Sequence, residues 1–271
     1  MKFVFSRAEV FTNARAKYFF RSDGSKYLRS ITAFPDPIFK KSGFEEIRDE
    51  TKKKGLISEP NPENAEENRR KSFYRARNKL FDLLLCNGQL GYFVTLTIDE
   101  KKAERHEYAD VIKKLSNLLD NSVRRKGLAY VLVPEFHKDG AVHFHGIMNA
   151  DALGCVRAVS PHTLRELSTA KGKPIYNLKG YTLGFSTAIP IGENERERNA
   201  VAKYVYKYIT KTHGEKVGGR YYLSGGALRR PEYECLDLNY FEIPCEPIHL
   251  SWGGECKVYK LPEAPEGAQE P

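Results

Sequence analysis

Two histidines separated by one residue, His143 and His145, are the residues of this 271-residue chain best suited to chemistry. They lie in an apolar run, residues 141–148, whose composition is typical of a β-strand. Side chains two positions apart leave the same face of a strand, so two imidazoles are predicted side by side. Neutral imidazole is the commonest protein ligand for borderline divalent metals. The pair alone is equally consistent with one exposed and one packed histidine, so the neighbouring residues must decide.

A turn signal at residues 138–140 joins this run to a preceding apolar, β-branched run and predicts a β-hairpin. The length of its loop decides which side chains share a face. A two-residue loop would leave Glu135 on the wrong face, whereas a three-residue loop with Gly140 in the left-handed conformation pairs Glu135 with His143. The three-residue loop therefore brings Glu135, His143 and His145 within cross-strand reach on one face.

The predicted metal ligands are these three side chains, Glu135, His143 and His145. A cluster of two imidazoles and one carboxylate leaves coordination positions open, and it suits Mg²⁺ or Mn²⁺ acting on a phosphate group. His137 is a competing ligand, but with a three-residue loop it belongs to the turn.

A second pattern predicts a helix that is rich in tyrosine and lysine. Asn194, followed three residues later by Glu197, indicates the start of the helix, and Gly214 indicates its end. An apolar stripe at helical spacing should face the core. The stripe comprises Ala202, Val205, Tyr206 and Ile209. Tyr204 and Tyr208 are predicted to lie together on roughly the opposite side of the helix.

Each of these two tyrosines is followed three residues later by a lysine, Lys207 or Lys211. The set is consistent with a solvated helix face, and it is also consistent with nucleophilic attack on phosphorus. A phenol has a pKa of about 10, so attack needs a neighbouring ammonium group to favour the phenolate and a metal ion to withdraw charge from the phosphate. A phosphotyrosine ester keeps the energy of the phosphodiester, so a cut strand can be resealed, and two tyrosines permit two successive transfers.

Together these patterns resemble the three motifs of HUH endonucleases, in the same order along the chain. The motifs are the apolar strand at residues 93–97, the His-x-His strand, and the string Tyr-Val-Tyr-Lys-Tyr-Ile-Thr-Lys at residues 204–211. Most similar are the two-tyrosine rolling-circle replication initiators of single-stranded DNA phages and related prophages. The resemblance covers residues 70–230, and it is specific for the three motifs jointly and weak for any one of them.

The resemblance implies a role for the residues of the first two motifs. Thr95 and Thr97 lie on the first strand, where the family role is structural support and DNA contact. Glu135, His143 and His145 would hold the divalent cation, Mg²⁺ or Mn²⁺.

In the third motif, the resemblance implies that Tyr204 and Tyr208 are the two nucleophiles. Lys207 or Lys211 would assist them by stabilising negative charge. Tyr206 departs from the family pattern because it adds a third tyrosine between the expected pair. Its helical phase places it with the core stripe, so it is interpreted as a packing residue.

The activity that the resemblance implies is cutting of single-stranded origin DNA by transesterification. One tyrosine would become linked to the 5′ phosphate and free a 3′ hydroxyl, which host DNA polymerase would extend while a host helicase unwinds the duplex. The second tyrosine would cut the regenerated origin, and rejoining would release a circle. The chain contains no glycine-rich P-loop signature of its own, so unwinding is assigned to the host enzyme.

Composition agrees with a nucleic-acid partner. The formal net charge is +9, which suits a polyanion, although an anionic membrane surface or RNA would suit it too. A helix predicted over residues 70–86 has a basic entry that includes Arg70 and Arg75, and these are candidate phosphate contacts. A solvated helix face explains them equally well. Aromatic residues such as Phe93 and Phe185 could stack on unpaired bases.

The predicted fold class is α+β, with a central antiparallel sheet flanked by helices, as in an RRM-like palm. The expected organisation has an N-terminal appendage and linker (1–68), a catalytic domain (69–230), a C-terminal extension (231–261) and a disordered tail (262–271). The remaining predicted elements are two short strands within residues 1–65, strands at 91–98 and 181–189, a helix at 103–126, and a helix that begins near Pro161.

Other observations bound the cellular setting and the rival functions. The five cysteines form no Cys-x-x-Cys pair and no stretch could span a bilayer, which favours reduced thiols in a host bacterial cytoplasm. The same motifs would suit a mobilisation relaxase or a single-strand transposase, although those more often carry one tyrosine. A metal-dependent hydrolase would form no covalent adduct with DNA. A non-enzymatic single-stranded DNA- or RNA-binding module would need no metal ligands.

Overall fold

The computed structural model describes residues 13–21, 23–36, 62–104, 106–137, 139–211, 215–250 and 254–261. These residues form three helices, twelve strands and short 3₁₀ turns at Ala150–Leu153 and Tyr240–Glu242. In chain order the strands and helices are β1 (Ala14–Phe20), β2 (Lys26–Ala33), α1 (Pro62–Cys86), β3 (Tyr92–Thr97), α2 (Tyr108–Lys126), β4 (Tyr130–Phe136), β5 (Val142–Met148), β6 (Cys155–Arg157), β7 (Tyr176–Leu178), β8 (Ser186–Pro190), α3 (Glu195–Lys211), β9 (Leu223–Gly225), β10 (Glu232–Leu236), β11 (Pro247–His249) and β12 (Glu255–Lys260).

The chain divides into two compact units. The larger unit comprises residues 62–230 with the short segment 20–25, and it contains a seven-stranded sheet in the order β6-β7-β8-β3-β5-β4-β9. Every neighbouring pair whose register is described in this sheet is antiparallel. This arrangement confirms the predicted α+β class with an antiparallel sheet and helices.

One face of the larger sheet packs against α2 because both surfaces are apolar. The helix presents Val111, Leu115 and Leu119 at helical spacing, and all three are fully buried. They meet alternate residues of the central strands, including Leu96 and Phe144, in one hydrophobic core. The intervening residues of β5 therefore face the other side of the sheet, where α3 packs against β4 and β5 and also against α1.

The smaller unit is a five-stranded sheet in the order β10-β1-β2-β12-β11. Its strands come from both ends of the chain, since β1 pairs with β10 and β2 pairs with β12, both antiparallel. Ala14, Ala33 and Tyr240 form its buried cluster. The two strands expected near the N-terminus are confirmed. Their pairing with the segment after residue 230 was not predicted.

Three element predictions are wrong in part. α1 begins at Pro62, inside the segment interpreted as a linker. Residues 160–175 contain no helix; they form turns and isolated bridges between Val159 and Glu166 and between Ser168 and Pro174. Only the second half of the strand expected at 181–189 is a strand, β8. The predicted tail (262–271) and the helix end at Gly214 lie outside the described residues.

The cysteines and the helices bear on two further expectations. All five cysteines are free thiols. Among the residues that the structure describes, none of the helices has both the length and the apolar character needed to cross a bilayer.

Candidate active site

The β4–β5 hairpin has the three-residue loop that the sequence analysis required. The backbone N–H of His137 donates to Ala141 O at 2.8 Å, and Gly140 adopts a left-handed φ of 85°. In the resulting register Glu135 lies directly opposite His143. Lys138, the first residue of the loop, lies outside the described residues. The loop therefore brings Glu135 and His143 onto one face of the sheet, as predicted.

The neighbouring strand β3 adds two threonines to the same face. Thr97 lies opposite His143, and Thr95 lies opposite His145. The Thr95 hydroxyl is 3.1 Å from Nδ1 of His145, so it engages one ring nitrogen and leaves Nε2 directed toward the site. A partner on one nitrogen fixes the ring orientation and the tautomer of a histidine. Thr95 thus positions His145.

His145 and Glu135 are in close contact beneath α3. Nε2 of His145 lies 2.8 Å from Oε2 of Glu135, yet this buried nitrogen has no hydrogen-bond partner of acceptable geometry. Burial lowers the pKa of His145, although the Glu135 carboxylate opposes this shift. The ring is therefore neutral near pH 7, and it presents an unshared electron pair beside a carboxylate.

The Glu135 carboxylate also accepts a bond from Lys211, whose Nζ lies 2.8 Å from Oε1. Burial alone would raise the pKa of Glu135, but the Lys211 ammonium and His145 outweigh burial and lower it. The bond to Glu135 in turn raises the pKa of Lys211. Glu135 is therefore an ionised acceptor shared between an ammonium and an imidazole.

His143 has a different partner in this structure. Its Nδ1 lies 3.0 Å from Nε2 of His137, and the two ring centroids are 3.8 Å apart. Burial and the neighbouring imidazoles lower the pKa of His143. His137 thus lies beside the site rather than remote from it, which the interpretation as a turn residue did not anticipate.

The donor types at this site fit a divalent cation, and their positions fit it in part. Neutral imidazole and ionised carboxylate are ligands for such ions, and the unpartnered Nε2 of His145 beside Glu135 is an observation that favours one. His143 is turned toward His137, and among the described residues no three His, Cys, Asp or Glu side chains are placed to hold a metal ion. A three-ligand site with Glu135 and His145 would therefore need His143 to rotate.

Helix α3 carries the tyrosines over this surface. Its start is capped as predicted, because the Asn194 side chain accepts the backbone N–H of Glu197 at 2.8 Å. Tyr206 packs edge-on against Phe81 of α1, with ring centroids 5.2 Å apart, in agreement with a packing role. Tyr208 is only 6 % exposed, so the expectation that it lies on the face away from the core is wrong.

Tyr208 is buried because the sheet surface that α3 covers contains His145. The two rings stack with centroids 4.2 Å apart and planes 8° from parallel. The Tyr208 hydroxyl donates to the hydroxyl of Tyr204 at 2.7 Å, and Tyr204 itself is 51 % exposed. Burial, with the bond to Tyr204 and the Glu135 charge, raises the pKa of Tyr208. The phenols are thus adjacent, one accessible and one enclosed.

The remaining predicted residues differ in their distance from the tyrosines. Lys211 lies over the Tyr208 ring, with Nζ 4.9 Å from its centroid. Lys207 is exposed and follows Tyr204 by one helical turn. Arg70 and Arg75 are exposed on α1. Of the two lysines, Lys211 is the one that contacts both a tyrosine ring and a predicted metal ligand.

Phe93 is a neighbour of the tyrosines whose position the sequence did not reveal. Its ring lies edge-on to Tyr204 at 5.5 Å between centroids and parallel to His145 at 6.3 Å. It lies two residues before Thr95 on β3, so strand alternation places it on the same face. That alternation was the only sequence signal that could have located it.

Comparison with known protein families gives one match, and it covers the whole of this site. Residues 91–213 match a family model for replication-associated proteins of the ORF2 type. The match begins just before β3 and extends past α3, so it includes both histidines, Glu135 and both tyrosines. It covers somewhat less than half of the chain and supports a replication-initiator family. No curated protein and no solved structure matches the chain.

Proposed function

We propose that this protein initiates DNA replication by cutting one strand through tyrosine transesterification, in the manner of two-tyrosine HUH initiators. The observation that carries the proposal is a continuous set of contacts across α3 and the sheet. Tyr204, Tyr208 and His145 are linked in sequence, and His145 touches Glu135, which binds Lys211. Packing alone does not require two phenols, an imidazole, a carboxylate and an ammonium at one place.

The proposed reaction exchanges one phosphate ester for another. The phenolic oxygen of a tyrosine attacks phosphorus, a bond from phosphorus to that oxygen forms, and the bond from phosphorus to the 3′ oxygen breaks. The proton lost by the phenol ends on the freed 3′ hydroxyl, so atoms and charge balance. The number of phosphoester bonds is conserved, which makes the reverse reaction, rejoining, possible without a nucleotide cofactor.

The residues of the site have separate tasks in this proposal. Glu135, His145 and His143 would hold Mg²⁺ or Mn²⁺, which when bound withdraws negative charge from the scissile phosphate. Thr95 holds His145 in one orientation through Nδ1. The Lys211 ammonium, close to the Tyr208 ring, favours a phenolate over a phenol there.

Two adjacent tyrosines suit two successive transfers at one site. The first would hold the 5′ phosphate while the free 3′ hydroxyl is extended by host DNA polymerase, with a host helicase unwinding the duplex. The second would cut the regenerated junction, and the new 3′ hydroxyl would attack the first phosphotyrosine to close a circle. Tyr204 and Tyr208 are separated by one hydrogen bond, so either could reach the same phosphate with a small displacement.

The proposal is tested with end-labelled single-stranded origin DNA of the source replicon and Mg²⁺ or Mn²⁺ on a denaturing gel. We expect a metal-dependent, protease-sensitive adduct that survives in Tyr204→Phe and Tyr208→Phe but is lost in the double variant. Tyr206→Phe is the matched control, because Tyr206 belongs to the same helix and packs against α1; it should retain the adduct.

Other outcomes would favour the rival functions. Cleavage without an adduct would indicate a metal-dependent hydrolase in which water attacks. Binding with neither cleavage nor adduct would indicate a non-enzymatic single-stranded nucleic-acid-binding module. An adduct that depends on only one tyrosine would favour a relaxase-like or transposase-like nickase with the same chemistry.

A further inference from the structure

We propose that Phe185 is a stacking platform for one unpaired base of the DNA strand that enters the site. This inference rests on the proposed function, since it assigns a positioning residue to the same reaction. The residue lies in the segment between β7 and β8, where sequence patterns predicted only an ordinary strand. Its position in the sheet, its exposure and its anchoring each support the assignment.

Phe185 lies in the same cross-strand row as the predicted metal ligands. The backbone N–H of Thr97 donates to Phe185 O at 2.9 Å, so these residues are opposite each other. Thr97 is opposite His143, and His143 is opposite Glu135. Residues directly opposite in an antiparallel sheet share a face. The row Phe185, Thr97, His143, Glu135 therefore leads from the sheet's β8 side straight to the site.

The ring of Phe185 is not part of the core. Its next neighbour Ser186 faces the interior and is 4 % exposed, whereas Phe185 is 57 % exposed on the opposite face. Helix α3 packs against β4 and β5, while Phe185 immediately precedes β8, beyond β3. A large apolar side chain held open to solvent beside a polar site is a candidate contact for a ligand.

The backbone of Phe185 is held rigidly, which is what a stacking platform needs. The Thr97 hydroxyl donates to Phe185 O at 3.0 Å and accepts the backbone N–H of Phe185 at 3.1 Å. A Cβ at Gly184 would collide with Thr97 O, so only glycine permits this close approach. Thr97 is thus occupied in positioning Phe185, and its value to DNA binding would be indirect.

The ligand that best matches this shelf is an unpaired base. Every base has an aromatic face, and stacking on an aromatic side chain is the common sequence-tolerant contact of single-stranded DNA-binding proteins. Strands are about 4.8 Å apart, so Phe185 stands roughly 10 Å from His143, two strands away. A base stacked there would belong to a nucleotide a few positions from the scissile phosphate. The chain's net charge of +9 favours the polyanion to which that base is attached.

The test compares binding of a fluorescein-labelled oligothymidylate by full-length wild type, Phe185→Ala, Phe185→Leu and Phe185→Trp, using fluorescence anisotropy. We expect about tenfold weaker binding for alanine and leucine and near wild-type binding for tryptophan, because only an aromatic ring stacks. The dependence of affinity on salt should be unchanged in all variants, since no phosphate contact is removed. Phe241→Ala, at a more exposed phenylalanine of the other unit, is the matched control and should bind as wild type.

The proposal is overturned if alanine binds as tightly as wild type, or if leucine restores binding as well as tryptophan does. A changed salt dependence would also overturn it, because it would indicate lost phosphate contacts. These measurements need no cleavage. An enzyme that forms no adduct but loses oligothymidylate binding on Phe185→Ala would therefore refute the proposed reaction and retain the stacking platform.

Discussion

Tyr208 lies face to face on His145, with ring centroids 4.2 Å apart and planes 8° from parallel. This contact joins the third sequence motif to the second, and it places a phenol directly over the imidazole that touches Glu135. It also explains why Tyr208 is buried although its helical phase suggested solvent exposure. The sheet surface under α3 is itself the candidate site, so the functional side of the helix is the covered one.

Replacing Thr95 with valine should weaken the reaction without unfolding the protein. Valine keeps the shape and removes the hydroxyl that holds Nδ1 of His145 at 3.1 Å. Loss of such an orienting partner typically costs about 10- to 100-fold in metal affinity or activity. The measurement is the adduct rate as a function of Mn²⁺ concentration, where we expect a higher Mn²⁺ requirement. Thr187→Val, on β8 opposite Thr95, is the control; equal effects of the two variants would refute the orienting role.

Lys211 should matter more than Lys207 to adduct formation. Lys211 bonds Glu135 at 2.8 Å and lies over the Tyr208 ring, so its loss removes positive charge from the site. We expect Lys211→Ala to lower the adduct rate by about tenfold, equivalent to about 1.4 kcal/mol in the barrier, and Lys207→Ala to lower it less. The lysine is half-exposed, so the free energy of unfolding should change by no more than about 1 kcal/mol. A larger effect of Lys207→Ala would contradict this assignment.

Gly140→Ala should destabilise the hairpin that sets the register of Glu135 and His143. Gly140 has a φ of 85°, a conformation that costs about 1–2 kcal/mol for a residue with a Cβ. Chemical denaturation should show a loss of unfolding free energy of that size. Gly91→Ala, where an added Cβ meets nothing within 4 Å, is the matched control and should change stability by less than about 1 kcal/mol in either direction. Equal losses at both positions would contradict the role of the left-handed turn.

The hairpin could be predicted from sequence because its determinants are local. Gly140 specified a three-residue loop, and the loop specified that Glu135 faces His143. The start of α3 was predicted for the same reason, since Asn194 and Glu197 are three residues apart. Local patterns thus located the parts of the site that depend on short-range geometry.

The features that sequence did not predict depend on contacts between distant segments. Helical phase separates two sides of α3, but it does not say that the polar side covers a sheet, so the burial of Tyr208 was missed. The five-stranded sheet pairs β1 with β10, far away in the sequence, and no local pattern encodes that partnership. The exposed position of Phe185 follows from its bonds to Thr97, 88 residues earlier in the chain.

The most direct test of the proposed chemistry is to identify the residue that becomes linked to DNA. Trypsin should cut after Lys203, Lys207 and Lys211, which releases Tyr204 and Tyr208 on separate peptides. Mass spectrometry of the adduct, after nuclease trimming, should find a nucleotide mass on one or both of these peptides, with fragmentation locating it on Tyr204 or Tyr208. A nucleotide on Tyr206, on any other residue, or on no residue of a protein that has cut its DNA would contradict the two-tyrosine account.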